Sequence, residues 1–185
     1  MSPEREQQAF EALLGQELTR PGTLVQTLVY GPEQAVEVMR LAARQYRRAL
    51  RTTQPAVADD DPDQVYALIY EAVRAASAAL VHASGYRVRG GERSHVEVLR
   101  LAALGLAAWH PEEARLLERI RTPITRARNE MMYASPRVVT TRELRQFFEA
   151  ASRILPALQD CVERKIRQPS LLPVGAWAVP DPPLS

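Results

Sequence analysis

The stretch Arg126-Ala127-Arg128-Asn129-Glu130-Met131-Met132-Tyr133 holds three groups suited to gripping a phosphate: Arg128, Asn129 and Tyr133. On a helix they fall within a turn and a half. Arg128 and Met132 then share a face, and Tyr133 is turned from Arg128 by about 140° at 100° per residue, so both border one groove without touching. An arginine and an asparagine beside the inward-pointing Ile124, Ala127 and Met131 are costly to bury unless they meet a partner. That partner is either a bound ligand or an internal carboxylate, with Glu71 and Glu97 the acids on neighbouring helices. Arg126 adds a further cation that could bind RNA.

A second group lies in Gly85-Tyr86-Arg87-Val88-Arg89-Gly90-Gly91-Glu92-Arg93. The arginines Arg87, Arg89 and Arg93 on a glycine-loosened loop fit a phosphate backbone, with Tyr86 able to stack on a base. The competing reading is a solvated basic turn. His95 follows at the start of the next helix, the one histidine near arginines, either as a structural residue of the helix start or as a proton carrier. His82, His95 and His110 lie far apart in sequence, and no Cys or His pair has metal-ligand spacing, so no metal site and no cofactor is expected. Neither a glycine-rich phosphate loop between strand and helix nor a nucleophile elbow occurs. Cys161 falls on the apolar side of the last helix, where a cysteine is usually a small buried hydrophobe. Trp109 and Trp177 are expected to pack locally.

These groups must be held by helices. Alanine, leucine, glutamate and arginine recur at helical spacing and no segment reads as a strand. A first helix covers Pro3 to Leu18, with Phe10, Leu13, Leu14 and Leu18 on one side, and Arg20-Pro21-Gly22 ends it. Gly31-Pro32 starts a second helix reaching about Leu50, with Ala35, Met39, Ala42 and Tyr46 as its buried stripe. After the loop from Thr52 to Asp60, Asp61-Pro62 opens a helix of about 23 residues, or about 34 Å. Its inward face carries Val65, Ile69, Ala72, Ala76, Leu80 and Ala83, and Gly85 is its left-handed terminator. Ser94-His95-Val96-Glu97 has the spacing of a capping box, opening a helix to about Ala108. Another runs from His110-Pro111 to near Tyr133, with a kink expected at Pro123. Thr140-Thr141-Arg142-Glu143 is a second capping box, before a long helix with Leu144, Phe148, Ala151, Leu155, Leu158 and Val162 inward and a bend at Pro156.

The whole is expected to be an all-α, up-and-down bundle of four to five helices. Residues 1–30 form an N-terminal helical extension and 31–167 the bundle. The tail 168–185, with five prolines, favours extended or disordered chain unless Trp177 docks it. A length of 185 residues suits one core. With 24 Lys+Arg against 22 Asp+Glu the formal charge is only +2, which neither demands nor excludes nucleic acid. Lys165 is the sole lysine, and the arginine bias reflects either phosphate recognition or a GC-rich genome. One cysteine cannot form an internal disulfide, so the cytoplasm is the expected compartment. The start lacks the layout of a signal peptide, and no apolar run approaches the roughly 20 residues that span a bilayer.

From Gly31 to Ile166 the chain resembles HEPN domains, and in particular the actinobacterial-type proteins with a Gly-Tyr-Arg-x-Arg-Gly loop followed by a helix opened by Ser-His. The resemblance rests on helix order, loop positions and Arg128-Asn129-x-x-x-Tyr133. It implies a metal-independent endoribonuclease, often a toxin or defence effector with a cognate protein partner, acting as a homodimer whose motif helices line one cleft. Arg128 would then hold the scissile phosphate and Asn129 takes the place of the polar residue after it. The family's histidine, which would move protons around the ribose 2′-hydroxyl, is replaced: Tyr133 stands where it would begin. Histidine titrates near 6.5 and tyrosine near 10, so Tyr133 is a poor proton shuttle. His95 is the alternative if it reaches the same cleft. The other reading is a catalytically silent HEPN module binding a nucleotide, RNA or protein. A third is a scaffold in which the motif only pins helices together.

Overall fold

The computed structural model describes residues 2–21, 25–52, 62–91, 93–133, 139–173 and 175–178; within its helices the side chains of Thr52, Arg128 and residues 131–133 lie outside the description. Six helices occur among these residues: α1 Pro3–Thr19, α2 Gly31–Thr52, α3 Pro62–Ala83, α4 Ser94–Leu106, α5 Pro111–Tyr133 and α6 Thr141–Ile166. The all-α class holds, with one addition. Two three-residue strands, β1 Val25–Thr27 and β2 Tyr86–Val88, pair antiparallel with Val25 opposite Val88 and Thr27 opposite Tyr86. Three residues are too few for the period of two to show in a sequence, and the partners lie some 60 positions apart, so the expectation of no strand fails here.

Helix α3 is the centre. Val65, Ile69, Ala72, Val73, Ala76, Ala79 and Leu80 are all buried, on more than one face, as a helix enclosed by neighbours requires. Helix α2 lies along it with Ala35, Met39, Ala42 and Tyr46 fully buried, the stripe read from the sequence. At the α2 start, a Cβ on Gly31 would sit 2.5 Å from the His82 carbonyl and 3.0 Å from the Gly85 Cα, so only glycine allows this approach. Gly85 itself takes φ +83°, the left-handed turn that ends α3 and feeds β2.

The order of directions departs from an up-and-down bundle. Tyr70 of α3 meets His95 of α4, and ten residues further along each helix Leu80 lies against Gly105. The two helices therefore run the same way, and β2 lies in the crossover between them. The four residues 107–110 then turn α5 back along α4. Helix α6 returns beside α5, with Arg153 3.5 Å from Glu112 and 2.8 Å from Glu113, and His110 Nε2 2.8 Å from Asp160. At its far end the Val139 N–H donates to Asp63, 2.6 Å away.

The two capping boxes fare differently. At Thr140 the box forms: the Glu143 N–H donates to the Thr140 hydroxyl at 3.2 Å and the Thr140 N–H to the Glu143 carboxylate at 3.0 Å. At Ser94 it does not. The helix begins one residue early, with Arg93 at the cap in helical geometry, so the Ser94 hydroxyl donates back to Gly91 at 2.7 Å and Glu97 is taken by Arg100 at 2.6 Å. Helix α5 continues through Pro123, where the Thr125 hydroxyl donates to the Arg121 carbonyl at 2.8 Å. The described part of the tail is docked: Leu171, Leu172, Ala176 and Trp177 are buried, and the Trp177 indole N–H donates to Gln159 at 2.6 Å.

Thr140→Ala is expected to lower stability by about 1 kcal/mol and Ser94→Ala by less than about 0.5 kcal/mol, read from urea unfolding; equal losses would contradict the difference between the caps. The Tyr46 hydroxyl is buried without a hydrogen-bond partner among the described residues, and burial pushes its pKa up to about 12. Tyr46→Phe is therefore expected to leave stability unchanged or raise it by up to about 1 kcal/mol in the same assay.

Candidate functional site

His95 sits in the first turn of α4, half-buried, and its Nδ1 lies 3.0 Å from the hydroxyl of Tyr70. The two rings stack at 6.0 Å between centroids and 14° between planes. Tyr70 is fully buried on α3 and carries its phenol up to the histidine. Such a bond fixes the ring's orientation, and which atom donates depends on the tautomer. Tyr70 was not legible in the sequence as a site residue. Its signal was a hydroxyl-bearing aromatic on the central helix, one turn after Tyr66, which packs on Phe147 at 4.6 Å.

Helix α5 faces the bundle with Leu117, Ile124 and Ala127, all buried. Counting back from the α4–α5 turn at 1.5 Å per residue sets His95 opposite about Thr122, with Arg126 to Asn129 one to two turns beyond, about 6 to 10 Å further along. Asn129 is exposed, as its position past Ala127 requires. Arg126 is 78% exposed and its Nε lies 3.5 Å from Glu130, one turn on. The side chains of Arg128 and Tyr133 lie outside the described residues, although their backbone belongs to α5. The carboxylates proposed as internal partners are engaged elsewhere: Glu71 with Arg74 at 2.7 Å and Glu97 with Arg100 at 2.6 Å.

The arginine loop is in part a strand. Tyr86 points inward and is half-buried against the core, its hydroxyl 3.7 Å from where a Cβ of Gly15 would stand. It is therefore not an open stacking platform, because strand alternation sends it to the α1 side. Arg87 takes the opposite face, across from Gln26, and is exposed. Arg89 donates from Nε to the Gln26 side chain at 3.3 Å, and Arg93 is exposed beside the α4 start. No carboxylate among the described residues forms an ion pair with Arg87, Arg89 or Arg93. The crossover thus carries three arginines along the bundle and delivers the chain to His95.

Other candidates settle as structural groups. Burial pushes the Cys161 thiol up to about 12, which leaves it an inert core residue. An open groove of about 470 Å³ lies between α6 and the docked tail, lined by Gln159, Asp160, Glu163 and Trp177 among others, and none of the sequence-derived site residues borders it. Among the described residues no cluster of three or more His, Cys, Asp or Glu side chains converges at metal-ligand spacing, and no helix is long and apolar enough to cross a membrane. No family model, curated protein or solved structure matches the chain.

His82 sits where α3 ends, close to the ribbon, and its Nδ1 is buried without a hydrogen-bond partner among the described residues. Burial, then the nearby Arg87 charge, hold its pKa below the usual histidine value, against a hydrogen bond with the Gln34 main chain that acts the other way. The unfolded chain, titrating near 6.5, therefore binds this proton more readily than the folded one. Stability from His82 is intact well above that value and falls as pH drops through about 6.5 towards the lower folded pKa. Wild type is expected to lose stability relative to His82→Leu as buffers move from neutral to mildly acid; parallel curves from thermal melts would refute the assignment.

Proposed function

We propose that this chain is an HEPN-like RNA-binding protein that cleaves RNA without a metal ion, with Arg128, Asn129 and Tyr133 of α5 on the phosphate and His95 of α4 moving the proton. One observation carries the reading: His95 is held by Tyr70 at the end of the arginine-bearing crossover, and counting along α4 and α5 sets it about one turn short of the motif. A histidine supplied from another helix would fill the role that the motif itself lacks.

The chemistry follows from the ring's two nitrogens. With Nδ1–H donating to the Tyr70 oxygen, Nε2 keeps its lone pair and accepts the proton of the ribose 2′-hydroxyl as that oxygen attacks phosphorus. The ring is then an imidazolium, its Nδ1–H still held by the Tyr70 oxygen, and the same Nε2 proton passes to the departing 5′-oxygen, which returns the ring to its neutral form. Arg128 would stabilise the extra negative charge of the five-coordinate phosphorus, and Asn129 and Tyr133 would donate to its oxygens. The products are a 2′,3′-cyclic phosphate and a 5′-hydroxyl. The resemblance extends the proposal to a homodimer in which two α5 helices line one cleft, and to a cytoplasmic toxin or defence system with a cognate protein partner.

A second reading has its own support. Tyr70 is fully buried and its hydroxyl must be satisfied, so His95 serves equally as a structural partner in a silent module that binds RNA or a nucleotide. The experiment that separates the two incubates the protein with structured and unstructured RNA in EDTA. In the cleaving protein, Arg128→Ala and His95→Ala each lower the rate by roughly 100-fold or more, Tyr70→Phe has a smaller effect, and ends are cyclic phosphates. RNA binding without cutting in wild type selects the silent module; cutting that survives both substitutions removes these residues from the mechanism. A monomeric mass at micromolar concentration counts against the dimer.

A further inference from the structure

Tyr30 is 68% exposed and its neighbour Val29 is 86% exposed, in the turn between β1 and α2. Among the described residues Tyr30 is the one aromatic side chain that stands exposed. It is held close to the ribbon: the Leu28 N–H donates to the Gly85 carbonyl at 2.8 Å, one step beyond the β1–β2 pairing, and Gly31 packs directly on His82 and Gly85. Arg87 follows two residues after Gly85 and lies close enough to His82 to lower its pKa. The exposed ring and the guanidiniums of Arg87 and Arg89, neither in an ion pair with a carboxylate among the described residues, therefore flank one corner of the molecule.

We propose that this corner is a docking surface for single-stranded RNA, with Tyr30 stacking on a base and Arg87 and Arg89 on the flanking phosphates. The proposal rests on the RNA-binding reading above and locates where the strand first engages. An aromatic face with adjacent arginines is the combination that binds single strands without reading their sequence, since every base has a face to stack and every nucleotide a phosphate. Charge complementarity favours this occupant over an apolar protein surface, because Arg87 and Arg89 have no carboxylate among the described residues to neutralise them. The twelve steps along α3 from Tyr70 to His82 separate the corner from His95 by about 18 Å. Arg93 lies at the His95 end of the connecting segment. A strand laid along the crossover thus runs from Tyr30 towards the motif of α5.

The test measures the anisotropy of a labelled, uncleavable 2′-O-methyl oligouridylate in EDTA against the full chain. Tyr30→Ala is expected to weaken binding by about 10-fold, within the range for loss of one stacked base, and Tyr30→Phe, which keeps the ring, to stay within about 2-fold of wild type, its stacking face being unchanged. Arg87→Ala with Arg89→Ala should reduce the slope of log affinity against log salt by about 1.4, two phosphates at about 0.7 each. Tyr30 is solvent-exposed, so the variants should melt with wild type. Unchanged affinity in Tyr30→Ala, while Arg128→Ala weakens binding, would overturn this surface and leave the RNA reading standing. No binding by wild type would overturn both. A change in sedimentation mass in Tyr30→Ala at constant RNA affinity would mark the corner as a contact between copies of the chain and overturn the proposal.

Discussion

Every element that bears on the site is placed by the burial of α3. A helix with buried residues on more than one face must be covered by neighbours, and here α2, α4 and α6 all pack on it. Burying Ile69 and Leu80 alone is worth about 1.5–3 kcal/mol each, which makes the arrangement of these helices hard to alter. Alanine at 72, 75, 76 and 79 keeps the neighbours close. A larger side chain at any of these positions would push a helix outward and separate the groups it carries.

The parallel run of α3 and α4 sets the course of the chain between them. Two helices in the same direction need a connection that travels back along the bundle, and this chain places β2 in it. The connection is pinned at one end by Gly31 and Gly85 and by pairing to β1, and at the other by α4 itself. Its arginines are therefore displayed on an anchored segment rather than on a loose turn. His95, the first side chain after that segment to enter the bundle, finds the phenol that α3 offers.

The sequence revealed the elements that depend on local chemistry. The α2 stripe, the α6 stripe and the Thr140 cap are set by spacing within one helix, and each lies where the residues indicate. What it hid depends on contacts between distant residues. The Ser94 spacing matched a capping box, yet the turn from Gly91 started the helix early and Arg100 captured Glu97. Tyr86 read as an open ring because nothing local says that Val25 to Thr27 pairs beside it and turns it toward α1. Tyr70 and Tyr30 were concealed for the same reason: one gains its meaning from a histidine 25 residues away, the other from the approach of Gly31 to the end of α3. The arginines were legible as a charged cluster, while their division between a strand face and a helix start was not.

The central claim is that RNA engages the end of the molecule where His95 meets Tyr70. The chain's histidines include a built-in contrast, since His110 lies at the α4–α5 turn, bonded to Asp160 and about 16 Å from His95 along α4. The direct measurement is nitrogen-15 NMR of the histidine rings during titration with an uncleavable 2′-O-methyl RNA in EDTA. The account predicts that the His95 ring signals shift and follow saturable binding while those of His110 stay in place. RNA that binds but leaves His95 unmoved, or that shifts His110 alone, would contradict it.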